Sequence, residues 1–386
     1  MQASQNRKLG NSLRVLQVNK LYYPWRGGIE RVVQNLAEGL TEIYDCCVSV
    51  LCCTPFGPGG SQMLNGVKVI RCGSIGMVLG MPLSVTFVTK FRSIVYSQDV
   101  IHIHVPFPLA DIACNLVKLN NAKLIVHYHG DIVRQRQLDW FYTPLLMRVM
   151  NRADRIIVGS PHMLDSRHIR PFYSKAIIIP YGIDLTKSSA PYLLRELRSR
   201  YGIREDEKVV LFVGRFAYYK GLKYLVDSMQ YVNARLLLVG SGPLEKQIRR
   251  YVVAKGLSHK VCFTGALSDE EVSGCYALAD VFVLPSIEPA EAFGLVQLEA
   301  MAHGLPVINT NLPTGVPWVS RHGETGFTVP PRDAKALAEA INTVLNDTAL
   351  AARFSYNAKK RVQLFDLRDM INQIYRIYLE ITANPK

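Results

Sequence analysis

Residues Asp280–Ser320 read DVFVLPSIEPAEAFGLVQLEAMAHGLPVINTNLPTGVPWVS, and the order of elements in this stretch decides the fold. Val281–Leu284 is a short apolar run, β-branched and aromatic, closed by Pro285 and Ser286, and it predicts a buried strand. A polar loop with two acids, Glu288 and Glu291, follows. Phe293–Met301 predicts a helix with Leu295, Leu298 and Met301 at i, i+3 and i+6. His303–Gly304 ends that helix, and Val307–Ile308 begins the next strand. Strands alternating with helices in this way imply a parallel sheet.

Glu291 and Glu299 are the two carboxylates that frame the helix. On one continuous helix they would lie about 80° apart around the axis and roughly 12 Å apart along it. At that distance they cannot share a proton or flank a single bond as a dyad. The spacing suits an extended ligand along the helix N-terminus, with one acid at each end. Open parallel sheets take their ligands at the carboxyl ends of their strands, where this loop lies. The amides of Ala292, Phe293, Gly294 and Leu295 would present the positive end of the helix dipole to an anion. Spacing alone is explained equally well by a helix-start acid and a solvated one.

The wider sequence resembles a known family. Glu291-Ala-Phe-Gly-Leu-Val-Gln-Leu-Glu299, followed by Gly304-Leu-Pro-Val307, resembles the E-x7-E signature of retaining nucleotide-sugar glycosyltransferases of family 4. Asn309–Trp318 (NTNLPTGVPW) resembles the bacterial surface-polysaccharide mannosyl- and hexosyltransferases among them.

The totals set bounds. A chain of 386 residues with 49% hydrophobic content can bury two cores. No apolar run reaches the ~18 residues of a membrane-spanning helix. The polar start MQASQNRKLGNS lacks the order of a secretion signal. Eight cysteines, two pairs of them adjacent, fit neither a disulfide scaffold nor C-x2-C zinc spacing, and predict reduced thiols in a cytoplasmic protein. Residues 1–185 carry +9 of the net +14, which suits an anionic membrane surface or a polyanionic substrate. No helix-turn-helix, zinc finger or aromatic-basic RNA signature is present, so nucleic acid is not the expected partner.

In chain order, Leu13–Asn19 predicts the first strand. A loop ending in Gly27–Gly28 follows, then a helix carrying Val32, Val33, Leu36 and Leu40. Gly-Gly at such a turn lets backbone approach a ligand and offers amides to phosphate, although a tight turn asks for glycine anyway. Strands are also expected at Val48–Thr54, Val67–Cys72, Val100–His104, Lys123–His129, Ala153–Ser160 and Ala176–Pro180. His102 and His104 share one strand face, and His127 and His129 share another. No third ligand lies close to the first pair, so no metal is expected there. Met77–Val88 is apolar but too short to span a bilayer, and is either a core segment or a membrane-docking surface. Val133–Arg152 holds Arg134, Arg136, Trp140, Phe141, Tyr142, Arg148 and Arg152, which fits a headgroup layer or an ordinary amphipathic helix.

A second α/β unit starts at Lys208, with strands at Val209–Val213, Leu236–Gly240 and Val261–Gly265 before the quoted stretch. Arg215 and Lys220, at the end of the first of these, would clamp a diphosphate together with helix amides. Gly323–Val329 reads as a hairpin-like piece, and Leu367–Ile381 as the last helix. Leu185–Ala190 is the linker candidate. The expected domains are 1–185 and 186–366, with 367–386 returning toward the first.

The family resemblance covers nearly the whole chain and implies the GT-B architecture, two Rossmann-like α/β domains facing across a cleft. It implies acceptor binding by the first domain and nucleotide-sugar binding by the second. The Gly27–Gly28 loop would lie between acceptor and donor phosphates, and His129 beside the sugar. The nucleobase would be held by backbone near Phe263 and Gly265. Glu291 would accept sugar hydroxyls and Glu299 the ribose hydroxyls. Arg215, Lys220 and the amides of Ala292–Leu295 would stabilise the leaving diphosphate. No D-x-D occurs in the chain, so this stabilisation is expected without metal. The implied reaction moves a hexose, with mannose from GDP-mannose favoured and UDP-hexoses next, to a lipid-linked saccharide in surface-polysaccharide (O-antigen) synthesis. No cofactor beyond the donor substrate is expected. The implied place is the cytoplasmic face of the inner membrane, as a peripheral protein. Alternatives are a nucleotide-sugar epimerase, a non-catalytic binding subunit, or a transferase with a soluble small acceptor.

Overall fold

The computed structural model describes residues 12–25, 27–131, 139–186 and 191–383. Arg134, Arg136 and most of the linker candidate lie outside them. The chain forms two compact units, Met1–Pro180 with Arg368–Lys386, and Tyr181–Leu367.

The sheet of the first unit runs, edge to edge, Ala176–Ile178, Arg155–Val158, Lys123–Tyr128, Val100–Val105, Arg14–Val18, Cys47–Cys53, Val67–Cys72 and Gly60–Leu64. All pairings are parallel except the last. Val100–Val105 and Lys123–Tyr128 are buried at every position, as strands covered on both faces are. The antiparallel edge strand Gly60–Leu64 is largely exposed and lacks the period-2 alternation that would have announced it. Seven of the eight cysteines are buried or half-buried and all are free thiols. Burial pushes the Cys52 thiol up to about 12.

The second sheet runs Val261–Gly265, Arg235–Val239, Val209–Val213, Val281–Leu284, Val307–Thr310 and Gly326–Val329, all parallel. Numbered within this unit, the order is 3-2-1-4-5-6, the doubly wound order of nucleotide-binding sheets. The piece expected as a hairpin is therefore a sixth parallel strand. Its partner is Val307–Thr310, and only a tight turn, Gly323 N–H to the Gly326 carbonyl, resembles a hairpin.

The division between units falls at Pro180 rather than at 185. Tyr181 packs edge-on against Phe293, and Ile183 pairs with Asp366, so both residues belong to the second core. The last helix, Leu367–Ala383, lies almost wholly in the first unit. There Tyr375 stacks on Tyr44 at 3.7 Å, Glu380 pairs with Arg155, and Ile371 fills the space over Gly39.

Candidate active site

Val209–Val213 and Val281–Leu284 are neighbours in the sheet although two strands separate them in the chain. This is the point where the winding reverses and a crevice opens at the carboxyl ends. The loops leaving the two strands carry Arg215, Lys220 and Glu291. Lys220 Nζ and Glu291 Oε2 are 2.5 Å apart, and the two residues are 6% and 7% exposed. Burial pulls the lysine pKa down, but the Glu291 charge, with Tyr219, more than restores it. The ammonium is therefore held above its ordinary pKa and charged. Ser286 Oγ donates to the same Glu291 oxygen at 2.9 Å, whereas Oε1 has no partner among the described residues.

Two glycines make this contact possible. Gly221 has φ +67, and a Cβ there would lie 1.9 Å from the Pro285 carbonyl, so only glycine lets the two loops close on each other. The Ile287 N–H to Tyr219 carbonyl bond, 2.7 Å, ties the loops at the same place. Gly294, φ +74, turns the chain into the helix Leu295–Ala302, and a Cβ there would strike Leu284 and Gln297. Glu291 thus precedes the helix instead of occupying it, so the helical spacing to Glu299 does not apply. The N–H groups of Ala292, Phe293, Gly294 and Leu295 donate to no group among the described residues. Phe293 and Gly294 are buried and Ala292 and Leu295 half-buried, so this is a partly shielded set of donors open to an acceptor.

Other expected residues sit as follows. Arg215 is exposed and forms no ion pair among the described residues. Since the Lys220 charge is matched by Glu291, the expected two-cation clamp consists of one ion pair and one unmatched cation. Glu299 is half-buried and accepts from Tyr276 Oη at 2.9 Å. Phe263 lies under the Arg249 guanidinium, 4.3 Å from ring centroid to Cζ, and the Gly265 carbonyl takes the Gly240 N–H.

Sequence reasoning missed the support beneath the loop. Buried Asn309 Nδ2 donates to Gln297 Oε1 at 2.8 Å and to the carbonyls of Val316 and Ser320. Gln297 Nε2 donates to the Phe293 carbonyl, and Gly315 N–H to the Ala292 carbonyl. A polar residue ending the apolar run Val307-Ile308-Asn309 is the signal that was available.

In the first unit the reversal of winding falls between Arg14–Val18 and Val100–Val105. Gln17, His102, His104, His127 and His129 come together there, all buried. Burial, and for three of them the neighbouring rings, hold all four histidines below their ordinary pKa, His127 at about 3. The rings are therefore neutral, and hydrogen bonds fix the tautomers of His104 and His129. Gln17 Nε2 donates to Tyr378 Oη at 3.0 Å, so Gln17 Oε1, 2.8 Å from His104 Nε2, accepts. His104 Nε2 then carries hydrogen and its Nδ1 accepts from His129 Nε2–H at 2.9 Å. His129 is left with Nδ1 as its acceptor nitrogen. Tyr378 in turn gives its own hydrogen to His102 Nδ1 at 2.6 Å.

Nitrogens of His102, His104 and His127 lie within 4.8 Å of one another, but the rings are stacked with interplanar angles of 7°, 22° and 28°. A ligating lone pair lies in its ring plane, and near-parallel planes do not converge on one ion about 2 Å away. The three rings pack as a stack, and His102 and His104 are hydrogen-bonded within it.

Gly27 and Gly28 open the helix Gly28–Tyr44. Glu30, 5% exposed, turns its carboxylate back over Gly27, and its Oε1 lacks a partner. The end expected to greet a phosphate therefore already holds a carboxyl group.

Solved structures share this fold over almost the full chain. Sucrose-phosphate synthase from Thermosynechococcus elongatus superposes with a TM-score of 0.81 at 27% identity, covering 96% of this chain and 99% of that one. HepE of Anabaena, solved with UDP-glucose, gives 0.75 at 22% identity over 95% and 100%, a likeness of fold alone. These define the class, a glycosyltransferase of two α/β domains with the GT-B fold. Residues 26–187 match the family model "Glycosyltransferase Family 4" and residues 195–361 match "Glycosyl transferases group 1". The O-antigen chain mannosyltransferase C of Escherichia coli is 32% identical over 372 residues, 95% of this chain and 98% of the relative. The D-rhamnosyltransferase WbpZ of Pseudomonas aeruginosa is 32% identical over 361 residues, 92% of each chain. The chain belongs to glycosyltransferase family 4 and is an enzyme of that family.

Proposed function

We propose that the protein moves a hexosyl group from a nucleoside-diphosphate sugar to a lipid-linked saccharide in surface-polysaccharide synthesis, with retained anomeric configuration and without a metal or resident cofactor. Mannose from GDP-mannose is the favoured donor, because a relative of matching length is an O-antigen mannosyltransferase; UDP-hexoses follow. The observation that carries the reading is the buried Lys220–Glu291 pair beside four unused amides. Glu291 Oε1 accepts sugar hydroxyls, and the amides of Ala292–Leu295 with Arg215 and Lys220 take the diphosphate. Glu299 receives the ribose. Backbone near Phe263 and Gly265 meets the base. His129 lies beside the sugar, and the Gly27–Gly28 turn, with Glu30, meets acceptor hydroxyls better than phosphate.

In the step itself, the C1–oxygen bond to the diphosphate breaks, and the acceptor oxygen bonds C1 from the same face. The acceptor's proton passes to the departing phosphate oxygen. The positive groups stabilise charge that grows only as the bond breaks, so they favour the transition state over the bound donor. The enzyme works at the cytoplasmic face of the inner membrane as a peripheral protein. The basic excess of residues 1–185 supports this.

A thermal-shift screen of GDP, UDP and their sugars tests the donor, since a ligand bound only by the folded form raises Tm. NMR of the product tests the step, and an inverted anomeric centre overturns it. Epimer formation from donor alone would establish the epimerase reading instead.

A further inference from the structure

The hairpin Ile75–Val85 is an exposed, strongly apolar segment of the first unit. Its strands Met77–Val78 and Met81–Pro82 pair antiparallel, and its base is closed by the Ile75 N–H to Leu83 carbonyl and Leu83 N–H to Gly76 carbonyl bonds, 3.0 and 2.9 Å. Ile75 is 71% exposed, Val78 50%, Leu79 57%, Leu83 43% and Val85 85%. Phe56, 77% exposed, stands at the base, where Gly57 pairs with Ser74. A soluble surface tolerates single apolar side chains but not a run of them without a purpose.

The turn chemistry points the same way. Leu79 and Gly80 have φ +53 and +80, the two positive values of a type I′ turn. That turn favours Asn-Gly, and a leucine in the left-handed region is strained. Stability would place a small polar residue at position 79, and the chain places an exposed leucine there.

Charge selects the partner. From Cys46 to Gln98 the chain has no Asp or Glu, and it carries Lys68, Arg71, Lys90 and Arg92. Lys90 and Arg92 are exposed on the helix Phe87–Val95, which begins directly after the hairpin. An apolar tip within an acid-free, basic segment matches the boundary between acyl chains and anionic headgroups. The other sequence candidate is less suited. In the helix Asp139–Arg152, Tyr142 is buried against Asp111, and the Arg152 guanidinium is spent on the carbonyls of Cys114 and Val117.

The geometry points to the hairpin Ile75–Val85 as the element that docks on an anionic lipid bilayer, with Leu79 and Val85 entering the interface and Lys90 and Arg92 on its headgroups. It rests on the peripheral-membrane reading above.

Co-sedimentation of the full chain with phosphatidylglycerol/phosphatidylcholine vesicles tests it. Wild type binds at low salt and is released several-fold by salt, because the charge component is screened. Leu79→Asn and Val85→Asp each weaken binding about tenfold or more, and Val253→Asp, at an exposed valine of the second unit, leaves it unchanged. Leu79→Asn also raises Tm, because asparagine suits the turn, so a loss of binding with a gain in stability excludes misfolding. If wild type binds and both hairpin variants bind as well, the hairpin assignment falls and the membrane reading survives through another surface. If wild type ignores the vesicles yet still gains Tm with a nucleotide-sugar, both membrane statements fall and the transferase reading stands. Equal binding to pure phosphatidylcholine overturns the selection for anionic lipid.

Discussion

The two units place chemistry at the same topological position and fill it with opposite electrostatics. Where the winding of the second sheet reverses, a charged lysine and carboxylate are buried together with unused amides around them. Where the first sheet reverses, four neutral histidines are stacked; His104 and His129 are joined through Gln17 to Tyr378, and His102 bonds Tyr378 directly. Topology supplies the position and the residues supply the function. Under the proposed function, the first of these sites meets a leaving diphosphate, for which fixed charge is suited, and the second lies beside an uncharged sugar, for which oriented donors and acceptors are suited.

The sharpest way to break this contrast is to remove half of the ion pair. Lys220→Met leaves Glu291 buried and unpaired, which costs about 3–5 kcal/mol in denaturant unfolding and about 10²–10³ in kcat. The double variant Lys220→Met/Glu291→Gln regains most of the stability and none of the activity. If the double variant regained activity, the pair would be structural only. Arg215→Ala comes next. With its side chain exposed and unpaired, it leaves Tm unchanged while kcat/KM falls about 10²-fold.

The histidine stack is tested by Tyr378→Phe, which removes the hydroxyl that orients Gln17. Loss of the single His129 Nε2–H tautomer in nitrogen NMR is expected, with a fall in kcat of about tenfold and an altered pH profile. An unchanged His129 spectrum would detach the last helix from the site.

A smaller effect is the pH dependence of stability. The histidines have folded pKa values below 6.5, so below that pH the unfolded chain binds protons that the native state refuses. Their contribution is full above about pH 6.5 and is lost as pH falls, by up to about 1.4 kcal/mol per pH unit for each. For His127 the loss continues down to its folded value of about 3. His127→Phe should flatten the fall of unfolding free energy between pH 7 and 5.

Much of this was legible because parallel strands announce themselves. Val209–Val213, Val261–Gly265 and Val281–Leu284 are continuous apolar runs ended by Gly or Pro, and their bounds agree with the observed strands. Arg215, Lys220 and Glu291 drew notice because they stand in the loops that follow such strands and match the family's motifs; their residue types alone fit surface charge or a helix start equally well. What escaped depended on tertiary contact. No local pattern tells that Lys220 spends its charge on Glu291, or that Glu30 folds back over Gly27. His102 and His127 read as a strand face, and only the sheet register shows them as a stack closed by Tyr378 from the far end of the chain. The edge strand Gly60–Leu64 was invisible because its side chains face water on both sides.

The last helix has a consequence for biosynthesis. A chain emerging from the ribosome presents Gln17 and His102 long before Tyr378 exists, and the stacking surface of Tyr44 waits equally long for Tyr375. Whereas nascent domains usually complete themselves in order of synthesis, here the earlier unit stays unfinished until the helix Leu367–Ala383 has been made. A chain cut before Leu367–Ala383 would damage the half of the molecule made first.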